Sequence, residues 1–210
     1  MIYIYTDIPS ISDADLQKAL DRLPDWRREQ ALRFKHTLGQ KECTYSYLML
    51  CEGLKREYGL AVQPHFQIGE HGKPALQECP QIHFNISHCK AGIAVALGDV
   101  PVGIDIEAIG RMNDSLARYV LNETEYARML QSDNPAIEFT KFWTMKEAVA
   151  KLTGQGITDH LKQLLSIYNN VEIATEVHAE KGFVLSVAYN GSFNTGICEL
   201  NNTDFDGKSL

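Results

Sequence analysis

The sequence predicts an α+β protein made of two similar halves, residues 1–99 and 100–210. The order of elements leads to this prediction, because a strand, a long helix and further strands are followed by helices, a second long helix and more strands. A turn-rich stretch around residues 98–101 separates the two runs. The length of 210 residues allows a core that needs neither disulfides nor metal to fold.

The first half is predicted to begin with a short strand at 1–5 and to continue with helices. One helix is predicted at 13–20, and a longer one from about 25 to 58, a stretch that contains no proline. Gly39 marks the expected break in the longer helix, and Gly59 marks its end, since glycine commonly follows the last helical residue. Two strands with a two-residue period follow, at 82–87 and 91–97.

The second half is predicted to open with a strand at 102–107 and a helix at 116–120. The sequence Asn122-Glu-Thr-Glu125 resembles a capping box, which predicts a helix that ends near residue 130. Asn134 followed by Pro135 is typical of a helix start. That helix should run about twenty residues and end at Gly154 or Gly156.

The remainder of the chain is predicted to form strands. Their predicted positions are 164–168, 171–178, 183–189 and 195–200. The last ten residues, 201–210, are polar, and we expect them to be frayed.

Composition and charge exclude several classes of protein. With 44% hydrophobic and 22% charged residues, the chain has the composition of a globular protein. The 20 basic and 27 acidic side chains give a net charge of −7, so we expect no binding to nucleic acid or to a membrane. The five cysteines form no Cys-X-X-Cys pair, and no leader or membrane-spanning segment is recognisable. We therefore expect free thiols and a cytoplasmic protein.

Two carboxylates in the predicted strand at 102–107 are candidate metal ligands. Asp105 and Glu107 are two residues apart, so they project from the same face of a strand, while Ile104 and Ile106 face the core. Adjacent carboxylates repel each other unless a cation joins them, and oxygen ligands suit Mg²⁺. An ordinary solvated face of an edge strand would give the same pattern, so the residues alone leave both interpretations open.

The predicted helix after Pro135 carries a second candidate group. Trp143, Glu147 and Lys151 are four residues apart and form one stripe. Glu147 is a candidate metal ligand or base, and Lys151 a candidate cation for phosphate. An exposed ion pair between Glu147 and Lys151 is the structural alternative.

Basic residues in the first half are candidate phosphate ligands. Lys73 lies in a Gly-Lys-Pro turn, and His88 ends a predicted strand, where a side chain can reach a ligand. Arg27 begins a basic cluster that includes Arg33. A structural histidine and a solvated helix face explain the same residues equally well.

Taken together, these segments resemble the 4′-phosphopantetheinyl transferases of the type that activates surfactin synthetase. The motifs that carry the resemblance are GKP at 72–74, FNISHC at 84–89, VGIDIE at 102–107 and FWTMKEAVAKLTGQG at 142–156. The resemblance implies a pseudo-dimer of two α+β halves with coenzyme A in the cleft between them. It also implies transfer of the phosphopantetheine arm to a serine of an acyl or peptidyl carrier protein, with release of adenosine 3′,5′-bisphosphate.

The resemblance further implies roles for individual residues. The implied ligands of Mg²⁺, or of Mn²⁺, are Asp105, Glu107 and Glu147. Glu147 and Lys151 are the implied catalytic residues, with Glu147 as base and Lys151 beside the pyrophosphate. The implied coenzyme A contacts are Arg27, Lys73, Ser87, His88 and Lys151.

One position departs from the family pattern. Such proteins often carry an arginine for the adenosine 3′-phosphate in the region where this chain has Ser46. Binding of that phosphate must therefore depend on other residues or be weaker. The residues available for it are Arg27, Arg33, Lys73 and His88.

Two other functions are alternatives to the transferase. A glycosidase could use Asp105 and Glu107 as an acid and base, but neighbouring carboxylates on one strand lack an opposing face for the sugar. A non-catalytic coenzyme A or carrier-binding module would be expected to have lost a carboxylate or Lys151, and none is missing. We expect the protein to be a monomer and to bind its carrier protein through residues 152–157. The sequence does not predict whether the carrier belongs to fatty-acid, polyketide or nonribosomal peptide synthesis.

Overall fold

The strands form three β-sheets within the residues that the computed structural model describes, which are 1–69, 72–110, 113–154, 156 and 160–205. Helices pack on these sheets. The strands are β1 Ile2–Tyr5, β2 Phe66–Ile68, β3 Pro74–Leu76, β4 His83–Cys89, β5 Gly92–Gly98, β6 Val102–Ala108, β7 Glu172–His178, β8 Phe183–Tyr189 and β9 Ile197–Glu199. The α-helices are α1 Asp13–Asp21, α2 Asp25–Leu32, α3 Thr37–Tyr58, α4 Asp114–Val120, α5 Glu123–Gln131, α6 Pro135–Thr153 and α7 Leu164–Ile167.

The first sheet has the strand order β4-β5-β1-β9. β1 lies inside this sheet and is buried along its whole length, which explains why it is an uninterrupted run of isoleucine and tyrosine. It pairs antiparallel with β5 and parallel with β9, which comes from near the end of the chain. α3 packs against β5 and buries most of its residues between 43 and 54.

The second large sheet has the order β6-β8-β7 and lies under α6. Gly103 in β6 permits this packing, because a Cβ atom there would lie 2.1 Å from the carbonyl oxygen of Ala148. Ile104 and Ile106 point away from α6 into a core shared with β1 and β5. The odd-numbered residues of β6 therefore face α6, and Asp105 and Glu107 are among them.

β4 and β6 lie beside each other and join the first sheet to the second. The amide oxygen of Asn85 in β4 accepts a hydrogen bond from the backbone N–H of Ile104 at 2.9 Å. Asn85 is buried, so this bond satisfies a backbone donor that would otherwise have no partner. The side chains at the end of β4 are thereby held opposite those of β6.

The helix boundaries predicted from capping residues are confirmed. Asn122 and Glu125 form the predicted capping box at the start of α5. The Asn134 side chain accepts from the backbone N–H of Ile137 at the start of α6, and α6 ends at Gly154 with a φ of +72°. Gly59 ends α3 in the same left-handed conformation.

Three predicted features of the fold were wrong. The long first-half helix is two helices, and residues 33–36 separate them instead of Gly39. Residues 164–167, predicted as a strand, form the short helix α7. The chain end is ordered through Phe205, which is buried and packs edge-on against Tyr5 and Tyr45, and residues 206–210 lie outside the described part.

The mixed α+β class is confirmed, whereas the division into halves at residue 99 stays a prediction. No helix among the described residues is both long enough and apolar enough to cross a membrane. All five cysteines are free thiols, as the sequence predicted. In the expected docking stretch, Leu152 is buried in the core beneath α6, while Gln155 and Ile157 lie outside the described residues.

Candidate functional site

Side chains from three elements meet where β4, β6 and α6 come together. The ammonium of Lys151 in α6 donates to Asp105 Oδ1 in β6 at 2.7 Å and to Ser87 Oγ in β4 at 2.9 Å. Ser87 Oγ in turn donates to Asp105 Oδ1 at 2.8 Å. Three residues predicted from separate motifs are therefore in direct contact, and we call them the Ser87–Asp105–Lys151 cluster.

The Asp105 carboxylate is buried, with 3% of its surface exposed. Its Oδ1 atom accepts hydrogen bonds from both Ser87 and Lys151, whereas its Oδ2 atom is buried without a hydrogen-bond partner. A buried carboxylate oxygen without a partner is unfavourable, since the lost hydration is not replaced. Oδ2 is therefore a free ligand atom at the centre of the cluster.

Glu107 and Glu147 lie on either side of this cluster and are half-buried. Burial raises the pKa of Glu107, and the negative charge of Asp105 raises it further. Burial also raises the pKa of Glu147, and Asp105 and Glu107 add to that effect. The indole N–H of Trp143 donates to Glu107 Oε1 at 3.3 Å, which fixes this carboxylate against α6. The three carboxylates thus form one electrostatically coupled group.

The sequence analysis assigned these three carboxylates to a magnesium ion. Within the described ranges, no group of three or more His, Cys, Asp or Glu side chains is placed to hold a metal ion. Lys151 instead supplies the positive charge beside Asp105 Oδ1. The sequence prediction of a magnesium site at Asp105, Glu107 and Glu147 is therefore still a prediction.

A groove of about 300 Å³ is lined by Lys151 of the cluster and by its neighbour Glu147. Lys73 and Ile86 contribute to its walls, together with Gly72 and the glycines that follow α6, Gly154 and Gly156. The Lys73 ammonium donates to the carbonyl oxygens of Val102 and Leu152, each at 3.0 Å. Lys73 therefore ties its turn to the start of β6 and the end of α6, a role that the sequence did not predict.

We expect Lys73→Met to change how stability depends on pH. Burial lowers the pKa of Lys73 to about 8, so between pH 8 and its ordinary pKa of 10.5 the unfolded chain binds more protons than the folded one. This difference makes the free energy of unfolding rise with pH, by about 1–2 kcal/mol for a partly buried lysine. Urea unfolding at pH 7.5 and 9.5 measures this effect: the free energy of unfolding should rise more between these pH values in the wild type than in Lys73→Met. If the free energies of unfolding of the two proteins differed by the same amount at both pH values, the prediction would be contradicted.

A second pocket of about 350 Å³ continues from the groove and shares Gly72, Pro74 and Ile86 with it. We call it the Arg27 pocket. Its polar lining comes from α2, α3 and the end of β4, and consists of Arg27, Gln30, Glu42, Ser46 and His88. This pocket therefore contains two residues that the sequence analysis assigned to coenzyme A, Arg27 and His88. It also contains Ser46, the position that departs from the family pattern.

Arg27 is 8% exposed, and two of its three guanidinium nitrogens are bonded while Nε is buried without a hydrogen-bond partner. It donates to Gln30 Oε1 at 2.8 Å and to the carbonyl oxygen of Cys43 at 2.9 Å. The same group lies over the rings of Tyr47 and Phe66. Burial lowers the pKa of Arg27, but a guanidinium stays charged at neutral pH.

Comparisons with known proteins identify related sequences. A family model described as the 4′-phosphopantetheinyl transferase superfamily matches residues 101–198. The 4′-phosphopantetheinyl transferase psf-1 of Bacillus pumilus is 30% identical over 155 residues, which cover 70% of this chain and 66% of that protein. The transferase Sfp of Bacillus subtilis strain 168 is 29% identical over 158 residues, covering 74% of this chain and 70% of its own. A further 4′-phosphopantetheinyl transferase of Bacillus subtilis is 26% identical over 211 residues, which cover 97% of this chain and 93% of that protein.

The chain belongs to the 4′-phosphopantetheinyl transferase superfamily. The family and the transferase class predicted from the sequence are thereby confirmed. The chain's aligned part spans about two thirds of the first two relatives' own length, at 66% and 70%.

The structure of this phosphopantetheinyl transferase homologue adds residues that the sequence analysis missed. Trp143 was placed on the Glu147 stripe without a role, and it holds Glu107. Glu42 was also missed, and it lines the Arg27 pocket together with Ser46. Its position one helical turn before Ser46, on the same face of α3, was the signal that could have identified it. Lys146, next to Glu147, is fully buried and bonded to Glu125 and to the carbonyl oxygen of Leu161. No local pattern identifies a buried lysine, because its partners are distant in sequence.

Proposed function

We propose that the protein transfers the 4′-phosphopantetheine arm of coenzyme A to a serine hydroxyl of an apo carrier protein. The observation that carries this proposal is the Ser87–Asp105–Lys151 cluster, which is coupled to Glu107 and Glu147. Lys151 and Glu147 line a groove that shares residues with the Arg27 pocket. Membership of the transferase family supports the reaction, and the names of the relatives support the transferred group.

The reaction is a displacement at phosphorus. The carrier serine oxygen forms a bond to the β-phosphorus of coenzyme A, and the bond from that phosphorus to the oxygen bridging the two phosphates breaks. Adenosine 3′,5′-bisphosphate leaves with the electron pair of that bond. The serine proton goes to a base, and negative charge grows on the leaving phosphate oxygens.

Two side chains of the groove are assigned to these steps. Glu147 is the proposed base, because its raised pKa makes its carboxylate a better proton acceptor than an exposed glutamate. Lys151 is the proposed donor to the leaving phosphate, because its ammonium lies in the groove wall and is partly exposed. Asp105 and Ser87 orient that ammonium.

The residues fit a magnesium ion in their chemistry. The candidate ligands Asp105, Glu107 and Glu147 offer only carboxylate oxygens, which Mg²⁺ prefers, and Asp105 Oδ2 is free to accept a cation. A bound Mg²⁺ would neutralise charge that develops on the two phosphates. The coupling that raises the pKa values of Glu107 and Glu147 is also the repulsion that a divalent cation relieves.

The remaining parts of the proposal concern fold, setting and partners. We propose that residues 1–99 and 100–210 are the two halves of a pseudo-dimer, with coenzyme A lying between them. The free thiols support a reducing cytoplasm as its location. The proposed partners are coenzyme A and an acyl or peptidyl carrier protein, with the transferase acting as a monomer.

Mass spectrometry of a carrier protein tests the proposed reaction. The purified protein is incubated with coenzyme A, MgCl₂ and a panel of apo carrier proteins. We expect at least one carrier to gain the mass of a phosphopantetheine arm, and the gain to disappear with EDTA. The control is the same carrier with its acceptor serine replaced by alanine, which should not change in mass. Failure of every apo carrier to gain mass at high enzyme concentration would contradict the proposal.

A further inference from the structure

The Arg27 pocket carries an acidic side chain where the nucleotide end of coenzyme A is proposed to lie. Glu42 projects from α3 into the lining, and its side chain is only 14% exposed. Its Oε2 atom lies 3.5 Å from His88 Nδ1, so this histidine of the lining has a carboxylate partner. A phosphate placed beside His88 would therefore meet a negative charge as well.

Most other polar groups of the described lining are already engaged. The Arg27 guanidinium donates to Gln30 and to the Cys43 carbonyl oxygen, while its Nε atom is buried without a hydrogen-bond partner. The Ser46 hydroxyl donates to the backbone oxygen of Glu42 at 2.6 Å, within its own helix. Arg27 and Glu42 contribute opposite formal charges, so the described lining residues have little net charge with which to attract a phosphate dianion.

Several cations next to lining residues in the sequence lie outside the described lining, among them Arg28, Lys41 and Lys73. Arg33 and Lys35 also lie outside it, and they flank the lining residue Phe34 on the exposed segment between α2 and α3. In the described part of the chain neither of them forms an ion pair. Exposed lysine and arginine charges are strongly screened, so they attract a phosphate only weakly unless it reaches them directly.

We propose that this site does not select for the adenosine 3′-phosphate, and that Glu42 is the residue that sets this specificity. The substrate class is then any pantetheine pyrophosphoryl adenosine, with or without the 3′-phosphate. The inference rests on the proposed function, because it takes the Arg27 pocket as the nucleotide end of the coenzyme A site. The leaving group from such a substrate without the 3′-phosphate is adenosine 5′-monophosphate.

Calorimetric titration with coenzyme A and with 3′-dephospho-coenzyme A tests the inference without a carrier protein. For the wild type we expect the two Kd values to differ by less than about tenfold, because the lining is nearly neutral. Glu42→Gln removes the like charge, so it should tighten coenzyme A binding by about 5- to 10-fold and leave dephospho-coenzyme A within about twofold. The matched control is Glu29→Gln, an exposed carboxylate of α2 outside the lining, which should change neither Kd.

The outcomes separate this inference from the proposed function. Binding of both nucleotides with coenzyme A preferred more than about tenfold would overturn the inference and leave the transferase proposal standing. That result would show that cations outside the described lining, such as Arg33 and Lys35, hold the 3′-phosphate. An equal response of both nucleotides to Glu42→Gln would also overturn it, because the effect would then not depend on the 3′-phosphate. Failure of both nucleotides to bind would overturn the inference and the proposed function together.

Discussion

Replacement of Asp105 by alanine is expected to lower the rate of phosphopantetheine transfer by about a thousandfold or more, which corresponds to about 4 kcal/mol of transition-state stabilisation. Asp105 accepts hydrogen bonds from both Ser87 and Lys151, so its removal leaves a buried hydroxyl and an ammonium without their acceptor. It also removes the buried carboxylate oxygen, Asp105 Oδ2, that has no hydrogen-bond partner in the protein. Steady-state kcat with a carrier protein measures the loss.

Two comparison variants show whether the loss is specific. Asp105→Asn keeps the shape and one accepting oxygen, so it should retain more folded protein than Asp105→Ala while losing most of the activity, because the charge is gone. Glu172→Ala, an exposed carboxylate of β7 in the same sheet, should keep full activity. Near-normal transfer by Asp105→Ala would show that the chemistry occurs elsewhere in the molecule.

Much of the fold that carries this site could be predicted because its signals are local. β4, β5 and β6 have clear two-residue periods, and each lies within two residues of its predicted position. α6 begins and ends at residues whose capping chemistry is written in the sequence, Asn134 and Gly154. Asp105 and Glu107 face α6 as their spacing predicted, while Ile104 and Ile106 are completely buried on the opposite face.

The errors occur where distant contacts override local preference. Gly39 was expected to break the long helix, but it lies inside the first turn of α3, where the Phe34 ring packs against it. A Cβ atom at this position would lie 2.7 Å from Phe34 Cδ1. The helix is interrupted earlier in the chain, at residues 33–36. In this segment the carbonyl oxygen of Phe34 accepts a hydrogen bond from the side-chain amide of Gln40. No glycine or proline marks that position in the sequence, so local rules could not find it.

Residues 164–167 illustrate the same limit. A short apolar run is compatible with either a strand or a helix, and length alone does not decide between them. In the structure the buried Lys146 ammonium donates to the carbonyl oxygens of Leu161 and Lys162, just before this run. Those bonds orient the backbone at the start of α7, and they depend on a lysine about fifteen residues earlier in the chain.

The sequence predicted the residues of the site as separate candidates, but it did not predict which of them are in contact. Lys151 and Asp105 are 46 positions apart, so no spacing rule links them. The assignment of Lys73 to coenzyme A stays a prediction, and its ammonium bonds two backbone carbonyl oxygens in the structure. Those bonds depend on the packing of β6 against α6, which the local sequence around a glycine-proline turn does not encode.

Lys151→Met is expected to lower both activity and stability. The substitution leaves Asp105 buried without its cation, and because Lys151 is partly exposed we expect a loss of about 2 kcal/mol in the free energy of unfolding. Transfer should fall by about a hundredfold or more, since the leaving phosphate loses a charged donor. Urea denaturation and kcat measure the two effects. Lys162→Met, an exposed lysine without an ion pair in the described part of the chain, is the matched control and should change neither.

A second pair of measurements tests the cause of that destabilisation. Asp105→Asn combined with Lys151→Met should cost less stability than the two single changes added together, because each single change leaves the other partner unsatisfied. Without Lys151, three coupled carboxylates remain with no cation beside them, so MgCl₂ should raise the Tm of Lys151→Met more than that of wild type, at matched ionic strength with NaCl. Additive stability changes would contradict the direct coupling of Asp105 and Lys151. An equal response of both proteins to MgCl₂ would show that the cation does not bind at these carboxylates.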